Sequence, residues 1–374
     1  MEDEKSRENT AKTMEQTDEK CPSCGGVMAY DPAVGKLVCE YCGATLDFEE
    51  QLPDIAREIN FDLAEDYENH DWGADKKTVI CRSCGAESIY DSLQIADICP
   101  YCGSNLVVEA GAADAMAPGG VCGFALTAKQ AGDKFKAWIK RKIFAPKQVR
   151  KGTIPDSFKG VYLPYWTFDT ETTTGYTARY GKTRTVTVNG KTHTHVDWYR
   201  TSGVYDKIFD DLLISGTDRY DKTAMSKIEP FDTASGKVYK PEYIAGFVAE
   251  RYSVGLNEAW NRGRTKVNDI FEDNIKDYIK RSKNANYVDS LKMSTDYKNV
   301  KYKYLMLPVW MSSFRYKEKI YNFMVNGQTG KVGGKTPVSA WKVALSVAIG
   351  LIVTAVIVWL LTKYSGNESV NINF

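Results

Sequence analysis

The chain has 374 residues, 43% hydrophobic and 26% charged, which supplies apolar material for two or three domains with buried cores and excludes a disordered or collagenous polymer. A net charge of +1 conceals a split: 25 Asp and Glu face 9 Lys and Arg up to residue 126 (−16), so the totals of 48 and 49 leave 23 acidic and 40 basic residues beyond it (+17). An acidic head is joined to a basic body.

Residues 1–20, MEDEKSRENTAKTMEQTDEK, contain no apolar run and no cleavage pattern; a disordered, acidic tail is expected, not a signal peptide or an anchor. Eight of the nine cysteines then fall into four C-x2-C pairs, Cys21/Cys24, Cys39/Cys42, Cys81/Cys84 and Cys99/Cys102. Adding 60 to the first four positions gives the second four. Gly25, Tyr30-Asp31, Tyr41, Gly43 and Leu46 recur in the same way as Gly85, Tyr90-Asp91, Tyr101, Gly103 and Leu106. The segments 21–46 and 77–110 are therefore predicted to be two copies of one unit.

A C-x2-C-G turn presents two thiolates from one knuckle, and two knuckles joined by a hairpin complete a tetrahedral S4 site. A unit of this size has too little core to fold alone, and a bound metal ion, contributing about 10–16 kcal/mol in small zinc domains, supplies what is missing. The expectation is two structural Zn2+ ions; iron uses the same S4 set. Disulfides would not call for four identical knuckles. Zinc ribbons often bind nucleic acid, but phosphate affinity comes from Lys and Arg, which the acidic head carries in a minority of 9 against 25 Asp and Glu. A protein partner is the better expectation for the ribbons.

Residues 47–76 read as an acidic helical spacer and 111–126 as a linker, with Cys122 a buried apolar thiol. A β-rich α+β domain is expected over 127–336. It opens with an amphipathic helix from Thr127 to Phe144, in which Phe135, Trp138 and Ile139 share one face and Lys134, Lys136, Lys140, Arg141 and Lys142 crowd the remainder. Packing on the next domain accounts for the aromatic face; contact with anionic lipid is the sharper reading of the basic one. TRTVTVNGKTHTHVDWYR alternates around Asn189-Gly190, a hairpin signal, and His193 and His195 on one strand face read as polar surface, not as metal ligands. Leu-Pro-x-Trp occurs at Leu163 and again at Leu307, suggesting equivalent strand starts. Val267, Ile270, Phe271, Ile275, Tyr278 and Ile279 lie at helical spacing, predicting a long helix over the sheet.

GKVGGKT, Gly330 to Thr336, resembles a phosphate-binding loop, yet the first glycine of that motif would have to be residue 329, which is Thr329. The glycines are expected to close a last hairpin. No H-E-x-x-H or G-x-S-x-G pattern is present, so neither a catalytic nor a cofactor-binding residue is nominated beyond the metal ligands. From Val343 to Leu361 no residue is charged, and 1.5 Å of rise per residue carries such a helix across roughly one bilayer core. A transmembrane helix is predicted over 341–363. Lys331, Lys335 and Lys342 before it place the N-terminal part in the cytoplasm and the tail, 364–374, outside.

CPSCGG, CEYCG, HDWG before CRSCGAES, CPYCG, YLPYWTFD, and LPVWMSSFRYKEKIYNFMVNGQTGKVGG before a terminal span together resemble the bacterial membrane proteins described as TFIIB-type zinc-ribbon-containing, often labelled after the replication-restart primosomal helicase although the motor is missing here. The resemblance implies an α+β multidomain chain with tandem zinc ribbons and one C-terminal span. It also implies a membrane-recruitment or envelope-stress adaptor, with flotillin-like (SPFH) or phage-shock-protein-A-like proteins as partners, and identifies no reaction; a non-enzymatic scaffold is the expectation. A membrane-tethered nucleic-acid binder is the alternative, and an ATPase or helicase a more remote one.

Overall fold

The computed structural model describes residues 21–26, 28–31, 34, 36–39, 41–46, 55–63, 76–83, 85–91, 99, 107–112, 116–152, 158–188, 191–244, 246–317 and 319–365. Their architecture is mixed α+β. In chain order the strands are β1 (Met28–Asp31), β2 (Lys36–Cys39), β3 (Thr45–Leu46), β4 (Ile59–Asn60), β5 (Lys76–Cys81), β6 (Glu87–Asp91), β7 (Val107–Ala112) and β8 (Gly120–Val121), followed by β9 (Lys159–Val188), β10 (Lys191–Ser215), β11 (Lys237–Val238), β12 (Val248–Glu250), β13 (Tyr287–Tyr316), β14 (Lys319–Asn326) and β15 (Val332–Gly334). Five α-helices are interspersed among the described residues: α1 (Ala128–Lys140), α2 (Lys147–Gly152), α3 (Lys222–Ile228), α4 (Leu256–Lys283) and α5 (Ala340–Ser365).

Strands β1, β2 and β3 form a small sheet of their own, and the other twelve join one large sheet. Its backbone is β9, with β10 antiparallel on one side and β13 antiparallel on the other. Strands of 30, 25 and 30 residues are exceptionally long, roughly 100 Å for 30 residues at 3.3 Å each. The register Val188↔Lys191 leaves two residues between β9 and β10, as the Asn189-Gly190 signal predicts. His193 and His195 stand exposed near the start of strand β10.

Both faces of β9 are buried near its start. Tyr162, Trp166 and Phe168 enter one hydrophobic cluster, with Phe135 and Ile139 of α1 and Val267, Phe271, Ile275 and Ile279 of α4. Val161, Leu163 and Tyr165 enter the other, with Ala224, Met225 and Ile228 of α3 and with Cys81, Cys99 and Cys122. The two-residue side-chain period of a strand separates the two sets. Helix α4 buries the predicted stripe, although Tyr278 remains half exposed and meets Tyr205 ring to ring at 6.1 Å. Helix α1 starts at a capping box in which Thr127 and Gln130 bond each other's backbone N–H.

The two Leu-Pro-x-Trp segments are paired with each other. Leu163 lies opposite Leu307, Tyr162 opposite Pro308 and Pro164 opposite Met306. The match extends further: Gly216 N donates to Pro164 O at 2.8 Å and Gly327 N to Pro308 O at 2.8 Å, while Trp166 Nε1 and Trp310 Nε1 donate to the carbonyls of Val254 and Leu126, each at 2.8 Å. Leu307 falls deep inside β13 instead of opening a strand, because the chain before it extends the ladder on β9. A Cβ on Gly327 would stand 2.6 Å from the Phe124 ring and 2.9 Å from Pro308 O. Gly327→Ala is therefore expected to lose about 1–3 kcal/mol of stability through overpacking, whereas Gly123→Ala, with no atom within 4 Å of the new methyl, should lie within about 0.5 kcal/mol of the parent in urea unfolding.

Two expected boundaries are corrected. Residues 55–63 of the expected helical spacer are not α-helical: Ile59 and Asn60 pair with Tyr302 and Lys301 of β13, and Phe61 packs 5.9 Å from the Trp260 ring and 6.4 Å from that of Tyr302. Tertiary packing of one aromatic overrides the local helical composition. Residues 64–75 lie outside the described residues. The expected linker 111–126 is built into the body: β8 sits between β11 and β13, and Ala117, Val121, Cys122 and Phe124 are buried.

Candidate metal centre and its seat in the body

Each of the first two C-x2-C-G turns closes in the same way. The amide of Cys21 donates to Gly26 O at 2.7 Å and that of Gly25 to Cys21 O at 2.8 Å; in the second turn Cys39 N donates to Ala44 O and Gly43 N to Cys39 O, both at 2.9 Å. Gly25 and Gly43 adopt φ of +70° and +72°, a conformation that costs glycine nothing sterically. Pairing of Met28 with Cys39 across β1 and β2 then sets the two knuckles face to face.

The four sulfur-bearing side chains of Cys21, Cys24, Cys39 and Cys42 converge so that their ligand atoms all lie within 4.8 Å of one another. Cys21 Sγ is 3.4 Å from Cys42 Sγ and Cys24 Sγ 3.5 Å from Cys39 Sγ. These separations exceed an S–S bond by more than 1 Å and approach the roughly 3.8 Å edge of a tetrahedron with 2.3 Å Zn–S bonds. Gly26 lets the backbone close on the thiols, since a Cβ there would lie 3.3 Å from both Cys24 Sγ and Cys39 Sγ. Four thiols this close cannot all ionise unaided. Although burial opposes it, the backbone N–H groups of Ser23 and Cys24 hold the Cys21 thiol down to about 6. Cys42, despite the N–H of Ala44, is pushed up to about 12 by the adjoining Cys21 and Cys24 sulfurs. A divalent cation relieves that conflict. The cluster can hold a metal ion.

The third knuckle repeats the first two: Cys81 N donates to Ala86 O and Gly85 N to Cys81 O, both at 2.8 Å, with Gly85 at φ +70°. Cys81 and Cys99 are both buried, within the same core cluster. Cys84 and Cys102 lie outside the described residues. The seat of this unit differs from that of the first. Strand β5 pairs with β6 and β7, and β6 pairs with β12, which runs beside β9. The second cysteine unit is thus continuous with the large sheet.

A buried ionic link fastens it there. Glu250, at the end of β12, has no exposed surface. Its carboxylate accepts from Thr217 Oγ1 and Tyr220 OH, each at 2.6 Å, and lies 3.1 Å from Arg219 Nε. The other end of the Arg219 guanidinium donates to Gly85 O in the knuckle. Burial raises the Glu250 carboxyl, against the lowering effect of these three partners. Nothing in the sequence announces this connection, because Gly85, Arg219 and Glu250 are far apart along the chain.

Sequence reasoning also missed an acidic cluster. Asp169, Asp210 and Asp211 have ligand atoms within 4.8 Å of one another, at bulges in β10 between Phe209 and Leu212 and in β13 between Lys298 and Lys301. One lysine pairs with it, Lys303 Nζ lying 2.7 Å from Asp211 Oδ1, and Lys301 Nζ lies 3.0 Å from Oε2 of the adjoining Glu58. Burial, then the hydrogen bond with Glu58, raises the Asp169 carboxyl to about 7. A carboxyl raised on folding binds more protons in the native state, so its contribution falls as pH rises from about 4 to 7. Asp169→Asn, which retains the oxygen that accepts from Asp211 N at 2.7 Å, is expected to raise the thermal midpoint by about 2–4 °C at pH 8 and to leave it unchanged near pH 4, read by thermal scans of the detergent-solubilised chain.

GKVGGKT forms a turn and strand. Asn326 N bonds Lys331 O at 2.8 Å, β15 pairs with β14, and Lys335 Nζ is 2.6 Å from Asp221 Oδ2. The glycines close a hairpin, as expected from the sequence. Helix α5 is long and apolar enough to cross a membrane over Ala340–Lys363, and none of that span is buried in the molecule.

The chain is similar to the uncharacterized protein YdjG of Bacillus subtilis (strain 168), at 28% identity over 327 residues, which cover 87% of this chain and 91% of that protein. No family model matches the chain. No solved structure matches it.

Proposed function

We propose that the chain is a non-enzymatic, tail-anchored adaptor with two structural zinc ions, which uses its N-terminal ribbon to dock a cytoplasmic protein beside the membrane. One observation carries this reading: the two cysteine units are seated differently. The second is integrated with a large sheet whose last hairpin leads into the apolar helix α5. The first is a separate three-stranded sheet with Tyr41 79% exposed and Cys24 and Cys42 at its surface. A small module presented by an anchored body suits recruitment. The acidic excess of the head favours a protein surface over phosphates. Thiolate ligands suit a reducing compartment, which agrees with the orientation given by Lys331, Lys335 and Lys342. The motif resemblance extends the proposal to flotillin-like or phage-shock-protein-A-like partners. The test is in-cell crosslinking of the full chain, followed by membrane isolation and identification of adducts. Recovery of one or two soluble or membrane-associated proteins, lost when Tyr41 is replaced by Ala, supports an adaptor; recovery of nucleic acid alone overturns it.

A further inference from the structure

We infer that the turn after α1, residues 140–147, is a second membrane-contact element that inserts Ile143 and Phe144 among the headgroups of an anionic leaflet beside α5. The inference rests on reading α5 as a transmembrane span. Three features of the turn point to lipid as its occupant.

The first is attachment. Lys342, in the first turn of α5, donates from Nζ to Ile143 O at 2.8 Å and to Ala145 O at 2.6 Å, and Ser339 N donates to Phe144 O at 2.9 Å. The turn is therefore held where the apolar helix begins. The second is its outward chemistry. Ile143 is 64% exposed, Phe144 40% and Trp341 74%, and exposed Lys140 and Arg141 precede the apolar pair. Apolar and aromatic side chains beside cations match the boundary between acyl chains and anionic headgroups.

The third is the backbone. Arg150 Nη2 donates to Lys140 O at 2.9 Å and Ala145 N to Lys142 O at 3.0 Å. With the bonds from Lys342 and Ser339, the carbonyls of Lys140, Lys142, Ile143, Phe144 and Ala145 all have protein donors. Pairing of these carbonyls within the protein lowers the cost of moving an irregular turn out of water. Lys142 lies over the Trp138 ring at 4.8 Å, which fixes the turn further against α1. Two apolar side chains on a turn tied down through five of its carbonyls are thus displayed at the start of the span.

The experiment reconstitutes the full chain in phosphatidylcholine vesicles with and without phosphatidylglycerol, each doped with a lipid carrying a diazirine near its headgroup. After illumination, lipid adducts are mapped by mass spectrometry. Adducts on peptides from α5 and from 140–147 are expected, the latter falling about fivefold or more without phosphatidylglycerol and likewise with Ile143→Asp. Zinc content serves as the control that this exposed substitution leaves the fold intact. Adducts on α5 with none on 140–147 would overturn the inference and leave the span standing. Adducts on 140–147 that ignore lipid charge would overturn the anionic preference, and their absence from both segments would remove the membrane reading too.

Discussion

Replacing Cys39 by Ser is expected to halve the zinc bound per chain and to unfold the N-terminal ribbon, while the thermal transition of the large domain stays in place. Among the described residues the ribbon's own core is Cys21, Met28, Leu37 and Cys39, with Ala44 and Leu46 packed against them. Half of those buried side chains are candidate ligands, so without metal little apolar surface remains to offset chain entropy. Its sheet shares no strand with the other, and it meets the body through β1 against the short turn Pro241–Ile244, so its loss need not propagate through the large sheet. Cys81→Ser is expected to behave differently. It also removes one zinc, but Cys81 belongs to the cluster that contains Val161, Leu163 and Leu307, and a hydroxyl placed there loses both a ligand and an apolar contact. A loss of about 2 kcal/mol or more from the large domain follows, roughly 4–8 °C in its midpoint. Elemental analysis together with thermal scans of both variants decides the matter; equal effects on the main transition would refute the different seating of the two units.

The second large effect is expected at Glu250. Alanine there leaves Arg219 facing an apolar interior with its partner removed, and also deprives Thr217 and Tyr220 of their acceptor. Truncating one member of a buried ion pair typically costs 3–5 kcal/mol, and because Arg219 keeps 22% of its side chain exposed, the lower end, about 3 kcal/mol, is expected. Glu250→Gln keeps an acceptor and the shape, so it should lose less than half as much. Because Arg219 also holds the carbonyl of Gly85, the alanine variant should additionally release zinc from the second unit faster when challenged with a chelator. Unfolding in urea and the rate of zinc release measure the two consequences separately, and an unchanged release rate would show that the link does not brace the knuckle.

Much of the local structure was legible because it depends on neighbours in sequence. The knuckle glycines, the Asn189-Gly190 hairpin, the buried stripe of α4 and the 19 uncharged residues before Thr362 each follow from steric or periodic rules acting over a few residues. The four thiols around one candidate metal position were legible for the same reason: C-x2-C fixes each pair, and a short hairpin brings the pairs together. The helical spacer over 55–63 failed because Phe61 finds Phe168, Trp260 and Tyr302, partners that composition cannot reveal. The buried Glu250 and the clustered aspartates at the double bulge were hidden likewise, since charged residues in a sequence read as surface until folding brings them together or removes their water.

The sequence by itself determined the first cluster of four thiols, the apolar span and the duplication of the cysteine unit, because spacing and hydrophobic period are properties of a short stretch of chain. Only the tertiary structure decided that one copy keeps a sheet of its own while the other is joined strand by strand to the body, and that Leu163 faces Leu307 at the centre of the sheet. It alone brought the turn at Ile143 to the foot of the span. Those relations arise from strand register and buried ion pairing between residues up to about two hundred positions apart, where the free energy of contact, not local preference, selects the partner.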